Sequence, residues 1–221
     1  MLKSLFLPII FLFLPLNNNL VSNLNGYNKA EAQSFKNSSV DSDWDLILKR
    51  YVIKSEPDGV NLFNYAALSK SSDDWVLLNN YLTSLEGIDP NLMLKNEAIA
   101  YYANLYNAVT VKLITENYPI KSIRKLGPFN SGPWKRKIIK LNGELVSLDD
   151  IEHKILRSKY LSPYIHYMLN CASISCPNLQ KKAWKGETLK SDQQRAVSEY
   201  INSSRGVALK KEGLQVSSIY K

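Results

Sequence analysis

The segment Lys137–Ser158, KIIKLNGELVSLDDIEHKILRS, decides the fold class because two periodicities meet inside it. Two short apolar runs, Lys137–Leu141 and Glu144–Val146, flank Asn142-Gly143. Asn-Gly between such runs favours a type I′ turn, since both residues tolerate positive φ, and so predicts a β-hairpin. From Ser147 onward the pattern is helical. Ser147 is placed to cap a helix from Leu148 to about Ser158, with Asp150 in the reciprocal position and Asp149 near the positive end of the dipole.

Upstream lies the longest helical stretch, Leu92–Tyr118, which has few breakers inside and Pro119 at its end. It is apolar nearly all round, which predicts burial. On a 3.6-residue repeat Glu97, Tyr101, Asn104 and Ala108 share one side, expected to face a polar pocket, with Asn107 close by. The alternative is that the asparagines simply hydrogen-bond neighbouring loops. Further back, Asp43–Val52 carries Trp44, Ile47, Leu48 and Tyr51 at helical spacing, and Ser72–Leu85 repeats that pattern after a cap at Ser71. Both read as core-facing helices.

Downstream, Tyr164–Asn170 (YIHYMLN) fits a short buried strand, Thr188–Asn202 a helix, and Val207–Leu209 with Leu214–Val216 a second hairpin. No internal repeat is present. Helices early and hairpins later predict an α+β fold, its helical N-terminal half packed on a small antiparallel sheet made of hairpins.

The first residues read as a targeting segment. Lys3 supplies a positive start, and Leu5–Leu16 is an uncharged apolar run interrupted by two prolines. It is too short for the roughly 20 residues that a spanning helix needs, so a signal peptide over 1–32 is expected, cut after Ala30-Glu31-Ala32. A disordered lead-in over 33–40 and one domain over 41–221 would follow. The expectation is an exported protein, periplasmic or extracellular, with no stable membrane span after processing; an uncleaved N-terminal tether is the alternative. The formal net charge of +8 is spread along the chain, with a local run at Trp134-Lys135-Arg136-Lys137. No nucleic-acid module accompanies it, so no nucleic-acid partner is expected, and solubility or attraction to an anionic envelope surface accounts for the surplus.

Reactive chemistry is concentrated in one place: both histidines and both cysteines lie between His153 and Cys176. If Tyr164–Asn170 is a strand, His166, Met168 and Asn170 share a face. Cys176 precedes Pro177, which suits the first turn of a helix, and a cysteine at a helix N-cap has its thiolate stabilised. A thiolate beside an imidazole is a nucleophile once a third group fixes the ring, and Glu152, Asn104 or Asn107 could be that group. Duller readings stand beside these. Cys171 could be inert packing, His153 a surface or capping residue, and the two cysteines one local bridge. The spacing H-x12-H-x4-C-x4-C matches no common closed zinc module, so neither a metal nor another cofactor is expected.

Three stretches together resemble domain-of-unknown-function family 547: Asn104-Leu105-Tyr106-Asn107-Ala108; Ser147–His153 with Leu156-Arg157; and Ile165–Pro177, IHYMLNCASISCP. Weaker similarity extends from Trp44 through Asn64-Tyr65 to Leu214–Tyr220. Members usually continue with an aromatic, acidic segment, so the resemblance implies that a closing element beyond Lys221 is truncated or missing. It also implies a papain-like cysteine hydrolase site carried by Cys176, His166, Glu152, His153 and Asn104; Asn107, Cys171 and Ser175 are expected to line the same pocket. Histidine precedes cysteine here, the reverse of papain-like enzymes, which leaves a permuted topology or a different chemistry open. Two functions are therefore expected to compete. One is a thiol-dependent hydrolase or acyl transferase acting on peptide-like or small-molecule substrates at peptide or amide bonds. The other is a non-catalytic envelope binding module with a local disulfide.

Overall fold

The computed structural model describes residues 41–55, 59–211 and 213–220. The expected signal peptide and lead-in lie outside the described residues. Helix α1, over 41–51, buries Trp44, Ile47, Leu48 and Tyr51, as their spacing predicts. It runs straight into β1 (Val52–Ser55), which pairs antiparallel with β2 (Val60–Phe63). This hairpin is not among the elements expected from sequence: each strand has four residues without a clean alternation, and the turn signal Pro57-Asp58-Gly59 between them was the one available clue.

Helix α2 (Tyr65–Leu68) is capped by the Asn64 side chain, and α3 (Ser72–Glu86) by Ser71, whose Oγ accepts from the Asp74 N–H at 3.3 Å. Asp73 and Asp74 in the first turn of α3 complement its dipole. Helix α4 (Lys95–Glu116) is the axis of the molecule, buried almost without interruption from Ala98 to Thr115. Thr110 and Thr115 satisfy their hydroxyls on carbonyls one turn back, at 2.8 Å each, so even its polar residues need no solvent. Trp44 of α1 stacks on Tyr81 of α3 with ring centroids 5.8 Å apart. One apolar cluster joins residues of α1, α3 and α4 to Leu148, Leu156, Trp184 and Tyr200.

The second half begins with β3 (Ile139–Leu141) and β4 (Glu144–Val146). Asn142 and Gly143 between them have φ of 49° and 83°, the type I′ geometry that their sequence predicts. A π-helical segment, Asp150–Arg157, then leads directly into the short α5 (Ser158–Tyr160). Helix α6 (Leu189–Ile201) is followed by β5 (Val207–Lys210) and β6 (Gly213–Val216), the expected second hairpin.

The architecture is α+β, and among the described residues the strands form three separate two-stranded ladders rather than one sheet. Two local expectations are corrected. Residues 164–170 do not form a strand: Ile165–Tyr167 is a single 3-10 turn, and the backbone groups of Met168 and Asn170 bond to the side chain of Asn107. Nor does Cys176-Pro177 open a helix, since 177–180 is irregular, so no helix dipole acts on that sulfur.

Neighbouring positions on α1 test this packing. Ile47→Ala, at a fully buried site (0 % exposed), is expected to lower unfolding free energy by about 2–5 kcal/mol. Leu46→Ala, 42 % exposed, should stay within about 0.5 kcal/mol, both read from urea denaturation midpoints.

Candidate functional site

The first part of the site is the π-helical segment, and Ser147 with Asp150 fixes its start. Asp150 N–H donates to Ser147 Oγ at 3.1 Å, while the Ser147 N–H and hydroxyl both donate to Asp150 Oδ2, at 2.8 and 2.7 Å. This is the reciprocal cap that the sequence predicts. Lys137 Nζ donates to the same carboxylate at 2.5 Å and Lys154 lies 2.8 Å from its other oxygen. These bonds hold the Asp150 carboxyl well below the usual carboxylate range. With its start pinned, the segment has a fixed rotation. That rotation points Glu152 inward and leaves His153 outside. π-type turns recur at functional sites because they re-aim side chains that a regular helix would place elsewhere.

Glu152 meets His166, with Oε1 3.5 Å from Nδ1, and both side chains are partly buried. The Tyr106 side chain of α4 lies beside the same carboxylate, and burial together with that charge raises the phenol far above its ordinary value. Burial pushes the His166 imidazole down, an effect that the Glu152 carboxylate opposes and that Arg157 and His153 reinforce. His153 lies apart from this pair. Its ring is exposed, with Nδ1 3.3 Å from Arg157 Nη1 and Nε2 3.6 Å from Asp149 Oδ1.

The second part is the loop that follows His166. Asn107 of α4 donates from Nδ2 to the Met168 carbonyl at 2.9 Å and accepts the Asn170 N–H at 2.8 Å. Asn170 passes this constraint on: its Nδ2 donates to the Pro177 carbonyl at 2.8 Å and its Oδ1 accepts the Ala172 N–H at 3.0 Å. Both ends of the following loop are thereby held, and Cys171 and Cys176 close it as a disulfide. Cys176 is 5 % exposed, whereas Cys171 is partly open. At the tip Ile174 is 67 % exposed, and Ser173 and Ser175 exchange a hydrogen bond at 3.1 Å. Arg205, beyond α6, braces the loop through the carbonyls of Ile174 and Cys176, at 3.1 and 2.8 Å, while Tyr200 donates to the Ser175 carbonyl at 2.6 Å.

Asn104 serves a different purpose from the one its helix position suggested. It is fully buried, accepts the Trp184 N–H and donates to the Trp184 carbonyl, at 2.9 Å each, and approaches Asp41 Oδ1 at 3.4 Å. Tyr101 on the same side donates to the Leu85 carbonyl at 2.9 Å. That side of α4 thus faces protein backbone and not an open polar pocket. Burial pushes the Asp41 carboxyl up to about 7, against the lowering effect of the Tyr81 hydroxyl.

Of the residues singled out from sequence, the structure brings Glu152 to His166 and Cys171 to Cys176, and it brings Asn107 onto the chain between those pairs. Cys171 and Ser175 line an open cleft of about 370 Å³ with Lys121, Arg124 and Trp134. Tyr106, Asn170 and Arg205 were not singled out. The first two lie inside the quoted motifs, where their spacing could have flagged them, but Arg205 stands in a polar segment with no signal. Among the described residues no group of three or more His, Cys, Asp or Glu side chains could hold a metal ion.

The sequence profile of the family described as protein of unknown function, DUF547, matches residues 90–201. The chain belongs to the DUF547 family. No curated protein and no solved structure gives a significant match. The DUF547 span runs from the turn before α4 to the end of α6. It contains Asn104, Tyr106, Asn107, Glu152, His153, His166, Cys171, Ser175 and Cys176, whereas Arg205 falls outside it.

Removing the Asn107 side chain strands the Asn170 N–H, while the Met168 carbonyl keeps the Trp184 indole as a donor at 3.2 Å. Asn107→Ala is expected to lose about 2–4 kcal/mol of stability, with the Asn170 amide losing protection in hydrogen exchange. Asp41 binds its proton more tightly when folded than in the unfolded chain, where aspartate titrates near ~3.9. Its contribution to stability is complete below that value and is lost as pH rises to about 7. Asp41→Asn should flatten this part of the stability profile, measured as denaturation midpoints across that window.

Proposed function

We propose that the chain is an exported thiol-dependent hydrolase or acyl transferase acting on peptide or amide bonds, with the Cys171–Cys176 bridge as its resting form. The observation that carries this reading is the pairing of Glu152 with His166, five residues ahead of Cys171. A carboxylate on one ring nitrogen fixes the imidazole tautomer and leaves the other nitrogen to take a proton. Burial keeps that ring neutral at lower pH than an ordinary histidine, the state that a general base needs.

Reduction by a dithiol, itself oxidised to a disulfide, would free both thiols. Cys171, partly open on the cleft wall, is then better placed as nucleophile than Cys176, the residue expected from sequence to have that role, which is buried. The Cys171 thiolate would attack the substrate carbonyl carbon after giving its proton to His166. The imidazolium would return that proton to the departing amine, and water or a second amine would take the acyl group from the thioester. The apolar leader and the bridge support an oxidising compartment outside the cytoplasm.

A second reading, a non-catalytic envelope binding module, is favoured by the bridge itself and by the use of Asn104 and Asn107 as backbone clamps. Hydrolysis of amide substrates by the reduced chain separates the two. The enzymatic reading expects turnover only after reduction, blocked by iodoacetamide at Cys171. Its kcat/KM should rise with pH through a limb below the ordinary histidine value of 6.5. Glu152→Gln removes the charge that favours the imidazolium, so the limb should move to still lower pH while kcat/KM falls on the order of 10²-fold. A reduced chain without turnover, whose thiols alkylate no faster than free cysteine, would leave the binding module.

A further inference from the structure

The disulfide loop stands as a ridge between two concavities. On one side Lys121, Ile123, Arg124 and Trp134 face Cys171 and Ser175 across the cleft of about 370 Å³. On the other, Leu62, Phe63, Tyr65 and Leu179 line a smaller space of about 130 Å³. Ala172, Ser173 and Ile174 form a wall of both.

The two sides differ in chemistry. Lys121 and Arg124 are exposed cations, and among the described residues no carboxylate lines either space. The smaller space joins an aromatic and aliphatic side to polar groups of Asn61, Asn170 and Ser173; Phe63 and Tyr65 pack together at 4.8 Å between centroids, and burial keeps the Tyr65 hydroxyl un-ionised. At its edge the Arg205 guanidinium is occupied by the carbonyls of Ile174 and Cys176 and by Asn178 Oδ1, but its Nε is buried without a hydrogen-bond partner.

We propose that the Cys171–Cys176 loop divides a two-sided peptide site, which takes an aromatic or aliphatic side chain beside Phe63 and an acidic side chain beside Lys121 and Arg124. The proposal deepens the reading of the chain as a peptide-directed thiol enzyme, and rests on it for placing a reacting carbonyl over Cys171. The charge on one side and the apolar lining on the other fix the substrate class as peptides that carry an acidic residue close to an aromatic one. An extended peptide rises about 3.4 Å per residue, so residues one or two positions apart can lie on opposite slopes of the ridge.

Binding can be separated from catalysis because both concavities belong to the bridged form. Dye-labelled short peptides containing Phe-Gly-Glu, Glu-Gly-Phe, Phe-Gly-Lys or Ser-Gly-Glu are titrated with the oxidised full chain and followed by fluorescence anisotropy. One of the two acidic–aromatic orders is expected to bind about tenfold more tightly than the Lys and Ser peptides, with the advantage over Lys shrinking as salt rises. The double variant K121A/R124A changes exposed side chains only, and should erase the preference for Glu over Lys while keeping that for Phe over Ser. Equal affinities for all four peptides, or a Glu preference that survives K121A/R124A, overturn the proposal. Selective binding by a chain that never turns over after reduction would instead sustain the site and remove the enzymatic reading.

Discussion

The two hydrogen bonds of Asn107 are the constraint on which the rest of the structure depends. A buried helix has few means of controlling irregular chain beside it, because its own backbone groups are consumed internally. An amide side chain, with a carbonyl that accepts and an NH2 that donates, can substitute for a neighbouring strand over the length of two residues. Asn107 does this for Met168 and Asn170, and Asn104 does it one turn earlier for both backbone groups of Trp184. Helix α4 therefore acts as a rigid ruler against which residues 168–184 are measured out.

Tyr106, between those asparagines in sequence, extends the same helix to the Glu152–His166 pair. The dyad and the disulfide loop consequently share one reference frame, although neither lies on α4. A shift of the helix would move both together. Electrostatics supports this arrangement from the other side, where Asp150 gathers Lys137, Lys154 and Ser147 and so prevents the π-helical segment from rotating under Glu152.

Much of this was legible in the sequence where a local rule governs. Asn142-Gly143 specifies its turn, Ser147 and Asp150 their cap, and Trp44, Ile47, Leu48 and Tyr51 an inward face, each from spacing alone. The clustering of histidine and cysteine singled out the segment in which Cys171 and Cys176 do meet. What was not legible depends on contacts distant in sequence. The apolar run at 164–170 reads as a strand because burial and strand share a composition; only Asn107, 61 residues from Met168, decides otherwise. Asn104 looked like a pocket residue for the same reason, since nothing in a sequence distinguishes an amide facing solvent from one facing a carbonyl. Arg205 carries no pattern at all, and its role follows from where α6 ends.

The division of the strands into three isolated ladders has a cost that the composition offsets. Among the described residues no ladder has a third strand, and such margins invite addition of a strand from another molecule unless they are covered, as β2 is where the Asn61 N–H donates to Asn178 Oδ1 at 3.0 Å. A lysine occupies one strand of every pair: Lys54 in β1, Lys140 in β3 and Lys210 in β5. All three are exposed, and lysine on an exposed strand disfavours pairing margin to margin, because a new strand would strip water from the ammonium group.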